Sequence, residues 1–291
     1  METKELLKKV KLLEIRTRGL VNQVLSGEYH SVFKGRGMTF SEVREYQIGD
    51  EIRTIDWNVT ARFDHPFVKV FEEERELTVM LLVDMSRSQV FGSQSALKRD
   101  VAIELSAILG FSAMKNNDKV GAILFTDRIE KYVPPRKGRS HALRVVRELI
   151  DFEPKNRTTN LSAALEYLNH IQKKRSIVFL ISDFIDSGYE SALRIAGKRH
   201  DLIGLVLLDP RERELPKIGL IAFRDAETGE RRLIDSSDAR VRTTHRAYQE
   251  KMAQARRSLF LKSRLDGVEI KLDQPYMKPL IDFFRLREKR W

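Results

Sequence analysis

The 291-residue sequence predicts a doubly wound α/β fold, in which helices cover both faces of a mostly parallel sheet. Two observations indicate this fold. From residue 77 onward, short runs of consecutive apolar residues alternate with longer segments of helical periodicity, and such runs are typical of strands buried on both faces. Several of these runs also end in small polar residues, which is where open α/β sheets bind their ligands.

Residues 1–76 are predicted to form an N-terminal helix followed by a small β-rich subdomain. The segment Lys4–Leu25 carries leucines and valines at helical spacing, and the helix is predicted to end near Ser26-Gly27. The residues that follow, up to Glu76, are rich in glycine and aromatic side chains. This composition favours short strands joined by turns over long helices.

Residues 77–291 are predicted to form the α/β domain. Strands are predicted at 77–83, 119–125, 128–133, 176–181 and 202–208, and helices at 96–114, 140–150, 161–172 and 189–199. Within this domain, residues 210–291 are predicted to add a hairpin (219–223 and 231–234), a long basic helix (238–265), a strand (268–272) and a short final helix (279–286).

The composition excludes several classes of protein. Apolar residues make up 42% of the chain, which excludes disorder along its whole length. The absence of cysteine excludes disulfides and thiolate-based sites and fits a reducing compartment. No apolar stretch approaches the ~20 residues of a membrane helix, and the first residues lack the apolar core of a signal peptide. The sequence therefore predicts a soluble, cytoplasmic protein.

The net charge of +11 suggests nucleic acid as a partner, but this charge is unevenly distributed. Residues 1–76 carry a net charge of −1, whereas residues 238–265 hold eight basic and two acidic side chains. A solvated outer face is the usual role of such a charged, amphipathic helix. Binding of nucleic acid or another anionic surface through 238–265 is the alternative function, although no recognisable nucleic-acid motif accompanies it.

Three polar features follow predicted strands or precede a predicted helix. Asp84-Met85-Ser86-Arg87-Ser88 follows the first apolar strand, Thr158-Thr159-Asn160 opens a helix, and Ser182-Asp183 ends a later strand. In the predicted fold all three converge at the carboxyl edge of the sheet. Their carboxylate and hydroxyl oxygens suit Mg²⁺, whereas Ca²⁺ usually takes more carboxylates. The sequence predicts a magnesium site, with Mn²⁺ and Ca²⁺ as alternative ions. Taken alone, Asp-x-Ser-x-Ser is a weak signal, because this pattern also caps helices.

Together these features resemble the metal-ion-dependent adhesion site of von Willebrand factor A domains. Upstream, the segments 36–40, 44–50 and 53–62 resemble the signature of a bacterial family labelled domain of unknown function fifty-eight. The resemblance extends from about Gly27 to about His245. Members of that family carry a von Willebrand A-like domain and are typically associated with MoxR-type AAA+ ATPases. The resemblance therefore implies a von Willebrand A-like sheet and a MoxR-like ATPase as a protein partner.

The resemblance also implies the roles of individual residues. Asp84, Ser86 and Ser88 match the first motif, Thr159 matches the loop threonine, and Asp183 matches the distal aspartate, which acts through water.

Three details depart from the family pattern or leave its register open. Thr158 is adjacent to Thr159, so a shift by one residue would give it the same role. Arg87 places a cation where a small residue is commoner, and Ser182-Asp183-Phe184 replaces the usual Thr-Asp-Gly.

The function predicted from these residues is a non-enzymatic, metal-dependent interaction module that binds a Glu or Asp of its partner. A magnesium-dependent phosphohydrolase of the haloacid dehalogenase type is a weaker hypothesis. That chemistry needs an Asp-x-Asp pair whose second member is the general acid, and Ser86 stands at that position. The sequence also lacks the phosphate-binding loop, the serine nucleophile elbow and the zinc-binding His-Glu-x-x-His motif.

Overall fold

The structure is a computed structural model that describes residues 3–20, 38–63, 65–73, 77–92, 96–224 and 229–290. Its strands are β1 (Met38–Glu45), β2 (Phe67–Glu73), β3 (Thr78–Asp84), β4 (Lys119–Phe125), β5 (Ile129–Arg136), β6 (Ile177–Ser182), β7 (Asp201–Leu208), β8 (Leu220–Arg224), β9 (Arg231–Asp235) and β10 (Asp266–Lys271). Its longer helices are α1 (Thr3–Leu20), α2 (Lys98–Lys115), α3 (Arg139–Asp151), α4 (Leu161–Ile171), α5 (Glu190–Arg199), α6 (Ala239–Ser263) and α7 (Met277–Glu288). Short helical turns cover Ile52–Thr54, Trp57–Thr60, Arg87–Val90 and Pro210–Arg213.

Six of the described strands form the central sheet, in the order β10-β7-β6-β3-β4-β5. Every neighbouring pair is parallel except β4 and β5, which form an antiparallel hairpin at one edge. This is the doubly wound α/β class that the alternation of apolar runs and helical segments predicts, and the prediction is confirmed. Residues 128–133 were expected to pair with the strand at 119–125, and β5 does so.

The apolar runs form strands because both faces of the sheet are covered. In β3, Val79, Leu81 and Val83 face one helical layer, whereas Met80 and Leu82 face the other, and all five are fully buried. Helices α1, α2, α3 and α7 contribute side chains to the first layer, and α4, α5 and α6 contribute to the second. A strand inside such a sandwich has no solvent face, so its sequence shows no polar alternation.

Helix α6 packs on the sheet through one aromatic side chain. Phe260 lies over Gly204 of β7 and Gly267 of β10, which are paired in register. A Cβ atom at Gly204 would lie 2.8 Å from the Phe260 ring, and one at Gly267 would lie 2.3 Å from it. Both positions therefore require glycine for the helix to approach this closely. Asp238 caps the start of α6 by accepting a hydrogen bond from the Arg240 amide.

The N-terminal region contains α1 and the antiparallel pair β1–β2. Helix α1 packs on the α/β core through Val10 and Leu13. The predicted continuation of this helix to Leu25, its end at Ser26-Gly27, and the start of the family signature at Arg36-Gly37 lie outside the described residues. No helix in the described ranges combines the length and apolar character needed to cross a membrane.

Candidate metal centre

The polar features of the sequence surround the switch point of the sheet. The strands β3 and β6 are adjacent and parallel, and the chain leaves them toward opposite edges, to β4 and β7 respectively. Asp84 is the last residue of β3, and Asp183 directly follows Ser182, the last residue of β6. Both aspartates are at least 99% buried. The topology thus brings together two carboxylates that are 99 residues apart in the chain, at the place where doubly wound sheets bind ligands.

The loop after β3 turns back on its own aspartate. Oδ1 of Asp84 accepts a 2.9 Å hydrogen bond from the Ser86 amide. The next residues form the short turn Arg87–Val90, and this turn brings the Ser86 and Ser88 hydroxyl oxygens within 3.0 Å of each other. Both serine side chains are buried. Three oxygen-bearing side chains of one five-residue loop therefore lie close together.

A hydroxyl from the neighbouring strand fixes the Asp84 carboxylate. Ser182 Oγ donates a 2.6 Å hydrogen bond to Oδ2 of Asp84 and accepts a 3.1 Å bond from the Phe184 amide. Burial, and after it the negative charge of Asp183, raises the pKa of Asp84 to about 7, against the opposing effect of the hydrogen bonds from Ser182 and Ser86.

Asp183 has the opposite electrostatic environment. Burial on its own raises the pKa of this carboxyl, but the ammonium of Lys98, together with hydrogen bonds from the Ile185 amide and the Ser88 hydroxyl, outweighs burial, so that the pKa lies below its ordinary value. Lys98 Nζ lies 3.0 Å from Oδ2 of Asp183, and the Ile185 amide donates to Oδ1 at 3.1 Å. The Ser88 hydroxyl also bonds to this carboxylate and so links Asp183 to the Asp84 loop.

Lys98 is the first residue of α2 and is completely buried. Its ammonium contacts Asp183 and, on its other side, the carboxylate of Glu212 in the turn Pro210–Arg213. Burial alone lowers the pKa of this lysine, yet the two carboxylates raise it above its ordinary value. A buried ion triad therefore adjoins the Asp84 loop.

The loop that precedes α4 lies against the Asp84 loop. The Arg87 amide donates to the Arg157 carbonyl at 2.9 Å, and the Asn160 amide donates to the carbonyl of Thr126, just after β4. Asn160 also caps α4 by accepting a bond from the Ala163 amide. Thr159 is half-buried in this loop, whereas its neighbour Thr158 is exposed.

Phe184 occupies the position at which the family pattern has glycine. Its φ of 58° is in the left-handed region, which a bulky side chain adopts only with strain. The ring is 4% exposed and packs against Phe260 at a centroid distance of 5.3 Å and against Tyr189 at 6.2 Å. Aromatic packing under α6 therefore compensates for the backbone strain at this turn.

The donor set fits a small, hard divalent cation. The described residues hold no group of three or more His, Cys, Asp or Glu side chains suited to a metal, so hydroxyls must complete any ligand set here. Asp84, Ser86 and Ser88 supply only oxygen, the donor that Mg²⁺ and Mn²⁺ prefer. Oε1 of the adjacent, fully buried Gln89 has no hydrogen-bond partner within the described structure. The Nε2 end of the same amide faces the centre, 3.4 Å from Oδ2 of Asp84 and 3.4 Å from Ser88 Oγ, so the fit to a cation depends on the carboxylate and hydroxyl oxygens.

A cavity of about 690 Å³ opens beside the centre. It lies between the loops after β6 and β7 and helix α6, and Asp183 and Glu212 form part of its wall. The apolar side chains Ile185, Tyr248 and Met252 also line it and are between 39% and 59% exposed. The centre therefore adjoins a recess large enough for several side chains of another molecule.

Four residues of this environment were missed by sequence reasoning as parts of the site: Ser182, Gln89, Lys98 and Glu212. Ser182 had a local signal, because it stands where the family pattern has threonine. Lys98 and Glu212 had none, since their contacts join positions 85 and 114 residues apart.

The arginines of the basic segment 238–265 are largely paired within the protein. The pairs are Arg242 with the carbonyls of Ser236 and Ser237, Arg246 with Glu250, and Arg256 and Arg257 with Glu269. The carboxylates of Glu250 and Glu269 offset part of the positive charge of α6, whereas the carbonyl bonds of Arg242 leave its charge unchanged. The alternative of phosphate binding through this helix gains no support from these contacts.

Fold and site together define a doubly wound α/β protein with an oxygen-rich centre at its switch point. The chain belongs to the family described as Protein of unknown function DUF58, whose model matches residues 42–258. The membership inferred from the N-terminal signature is thereby confirmed.

The chain is also similar to other proteins, both in sequence and in fold. The chain is 33% identical over 223 residues to the uncharacterized protein Rv1480 of Mycobacterium tuberculosis, an alignment that covers 76% of this chain and 70% of that protein. It is 30% identical over 110 residues to the uncharacterized protein YeaD of Bacillus subtilis, covering 38% of this chain and 25% of YeaD. An aerotolerance-related membrane protein from Bacteroides fragilis has a similar fold, with a TM-score of 0.51 and 17% identity, covering 74% of this chain and 100% of that chain.

Proposed function

We propose that this protein is a metal-dependent protein-interaction module whose centre consists of Asp84, Ser86, Ser88 and Thr159, with Asp183 acting through water. The observation that carries the proposal is the convergence of buried carboxylate and hydroxyl oxygens at the carboxyl edge of the sheet. Mg²⁺ is the proposed ion, and Mn²⁺ and Ca²⁺ are the alternatives.

Each residue of the proposed centre has a distinct role in holding the cation. Asp84 supplies the charged ligand, which Ser182 holds in one orientation. Ser86 and Ser88 supply neutral ligands, so the protein contributes little negative charge directly. When bound, a divalent cation supplies positive charge and open coordination positions, which suit a carboxylate oxygen of a partner. A Glu or Asp of the partner is therefore the proposed recognition element.

The proposed role is non-enzymatic, and the same residue set argues against the phosphohydrolase alternative. Phosphoryl transfer of the dehalogenase type needs a second aspartate two residues after the first, as general acid, and Ser86 has that position. The hydroxyl of serine does not ionise near neutral pH, so it cannot take that role.

The proposed partner is a MoxR-like AAA+ ATPase, which the family resemblance implies. The adjoining cavity supports a protein partner, because exposed apolar side chains line its wall beside Asp183. Such a recess accommodates side chains that flank the carboxylate at the centre.

Co-precipitation with a purified MoxR-type ATPase tests the proposal. We expect tagged wild-type protein to retain the ATPase in Mg²⁺, and Asp84→Ala to lose it while remaining folded by circular dichroism. Because chelation also strips the nucleotide from the ATPase, the Asp84→Ala comparison in constant Mg²⁺ is the decisive one. Asp127→Ala is the matched control, since Asp127 follows β4 at the same edge of the sheet and is more exposed. Equal retention by wild type and Asp84→Ala would refute the proposal.

A further inference from the structure

The ion triad of Lys98, Asp183 and Glu212 lies beside Asp84, so that four ionisable groups are close together. The Lys98 ammonium contacts the carboxylates of Asp183 and Glu212, and the carboxylate of Asp84 lies near Asp183, so that these four groups carry a net charge of −2 when all are ionised. Lys98 is fully buried, so solvent screens these charges weakly. A charge of −2 balances one divalent cation, whereas without the lysine the same site would carry −3.

Lys98 also helps to fix the orientation of the Asp183 carboxylate. The Lys98 ammonium donates a hydrogen bond to Oδ2 of Asp183, and the Ile185 amide donates one to Oδ1. Asp183 is thus oriented by the chain itself and contacts the Asp84 loop through the Ser88 hydroxyl. Its orientation does not depend on a bound ion.

The triad ties together elements that surround the site. Lys98 begins α2, Asp183 follows β6, and Glu212 lies in the turn after β7. The backbone carbonyl of Glu212 in turn accepts a 2.7 Å hydrogen bond from His245 Nε2 on α6. These bonds hold the walls of the site together.

We propose that Lys98 is the built-in counter-ion of this metal centre, which keeps the centre assembled in the absence of metal and limits its affinity for divalent cations. This inference rests on the proposed function, because it concerns the ion that Asp84, Ser86 and Ser88 would hold. Lys98 is a positioning residue and not a ligand. Its charge opposes the incoming cation, and its hydrogen bonds orient Asp183.

Titration of the purified full-length protein with Mn²⁺ tests the inference, with binding followed by calorimetry at pH 8. Lys98→Met removes the charge and keeps a side chain of similar length, so we expect Mn²⁺ to bind about tenfold more tightly, or better. Glu212→Gln reduces the negative charge and should weaken binding by a similar factor. The double variant Lys98→Met/Glu212→Gln restores the charge of −2 and should return the dissociation constant to within roughly threefold of wild type.

Arg287→Met is the matched control, because Arg287 is another buried cation held by two carboxylates. It pairs with Asp201 and Asp266, the first residues of β7 and β10, at the opposite edge of the sheet. We expect this variant to lose stability without a change in Mn²⁺ affinity. A second readout is the melting temperature, which Mn²⁺ should raise more in Lys98→Met than in wild type.

The outcomes separate this inference from the proposed function. If Lys98→Met binds Mn²⁺ no more tightly than wild type, the role of Lys98 is refuted. The same holds if Arg287→Met strengthens binding as much as Lys98→Met does. Neither result affects the proposed function. If neither wild type nor any variant binds Mn²⁺, the metal-dependent function fails and the inference fails with it. Should Lys98→Met not fold, Glu212→Gln still decides the matter, because wild-type affinity in that variant contradicts the charge argument.

Discussion

The Ser182 hydroxyl of β6 donates a 2.6 Å hydrogen bond to Oδ2 of Asp84 on the neighbouring strand β3. The Phe184 amide donates to the same hydroxyl, so the serine proton is directed at the carboxylate. This bond crosses the switch point of the sheet between two fully buried side chains. It orients the one charged ligand of the proposed centre.

Removal of this bond should weaken metal binding. We expect Ser182→Ala to raise the dissociation constant for Mn²⁺ roughly tenfold, because residues that orient a metal ligand typically contribute this much. Ser182→Thr keeps the hydroxyl and should bind as wild type does. Calorimetric titration of the three proteins measures the effect, and equal affinity of wild type and Ser182→Ala would contradict it.

The raised pKa of Asp84 predicts that metal affinity depends on pH. A proton and a cation compete for the same carboxylate, and the proton is half-bound near pH 7. The dissociation constant for Mn²⁺ should therefore rise about tenfold for each pH unit below 7 and be level above it. Titrations from pH 5.5 to 8.5 measure this slope. A constant affinity over that range would show that Asp84 is not the ligand or is not protonated.

The raised pKa of Asp84 also predicts that ionisation of this carboxyl destabilises the folded protein when no metal is bound. Because the folded pKa lies above the ordinary value, the native state retains the proton while the unfolded chain releases it between pH 4 and 7. The unfolding free energy of wild type should thus fall as the pH rises through this range. In chelator at pH 8, we expect Asp84→Asn to exceed wild type by on the order of 3 kcal/mol, and the difference to shrink toward pH 4.

Urea unfolding of both proteins at each pH checks this stability difference. Comparing the two proteins removes the contribution of His200, which burial gives a pKa of about 4 and which acts in the opposite sense. Equal stability of the two proteins at pH 8 would rule out a buried, ionised Asp84.

Phe184 provides a test of how the turn after β6 is stabilised. Phe184→Gly relieves the left-handed φ of 58°, worth about 1–2 kcal/mol, but removes a buried ring worth about 3–5 kcal/mol. We expect a net loss of about 2 kcal/mol in urea unfolding. Asn117→Gly, at a φ of 62° with an exposed side chain, should leave stability unchanged or slightly raise it. If Phe184→Gly were as stable as wild type, the buried ring would contribute no packing energy.

The sequence predicts the fold well because burial on both faces leaves a local signal. The runs at 77–83, 119–125, 176–181 and 202–208 become β3, β4, β6 and β7, and no end is shifted by more than one residue. Such strands have apolar residues at every position. They can therefore be recognised in the sequence without knowing which side chains point to which face of the sheet.

The site is less accessible from sequence, since its electrostatics depend on contacts between distant segments. Asp84 and Asp183 were predicted as site residues because Asp84 ends an apolar strand and Asp183 directly follows another. Lys98 was not recognised, because a lysine in the first turn of a helix ordinarily lies in solvent. Only the folded chain shows that its neighbours there are Asp183 and Glu212.

The loop before α4 allows the threonine ligand to be assigned by mutation. Bonds from the Arg87 and Asn160 amides hold this loop against the Asp84 loop and β4, and they leave Thr159 half-buried and Thr158 exposed. We expect Thr159→Ala to weaken Mn²⁺ binding by roughly tenfold and Thr158→Ala to have no effect, because an exposed side chain does not reach a buried centre. Thr159→Ser keeps the hydroxyl and should restore binding. The opposite pattern, with Thr158→Ala defective, would assign the ligand one residue earlier.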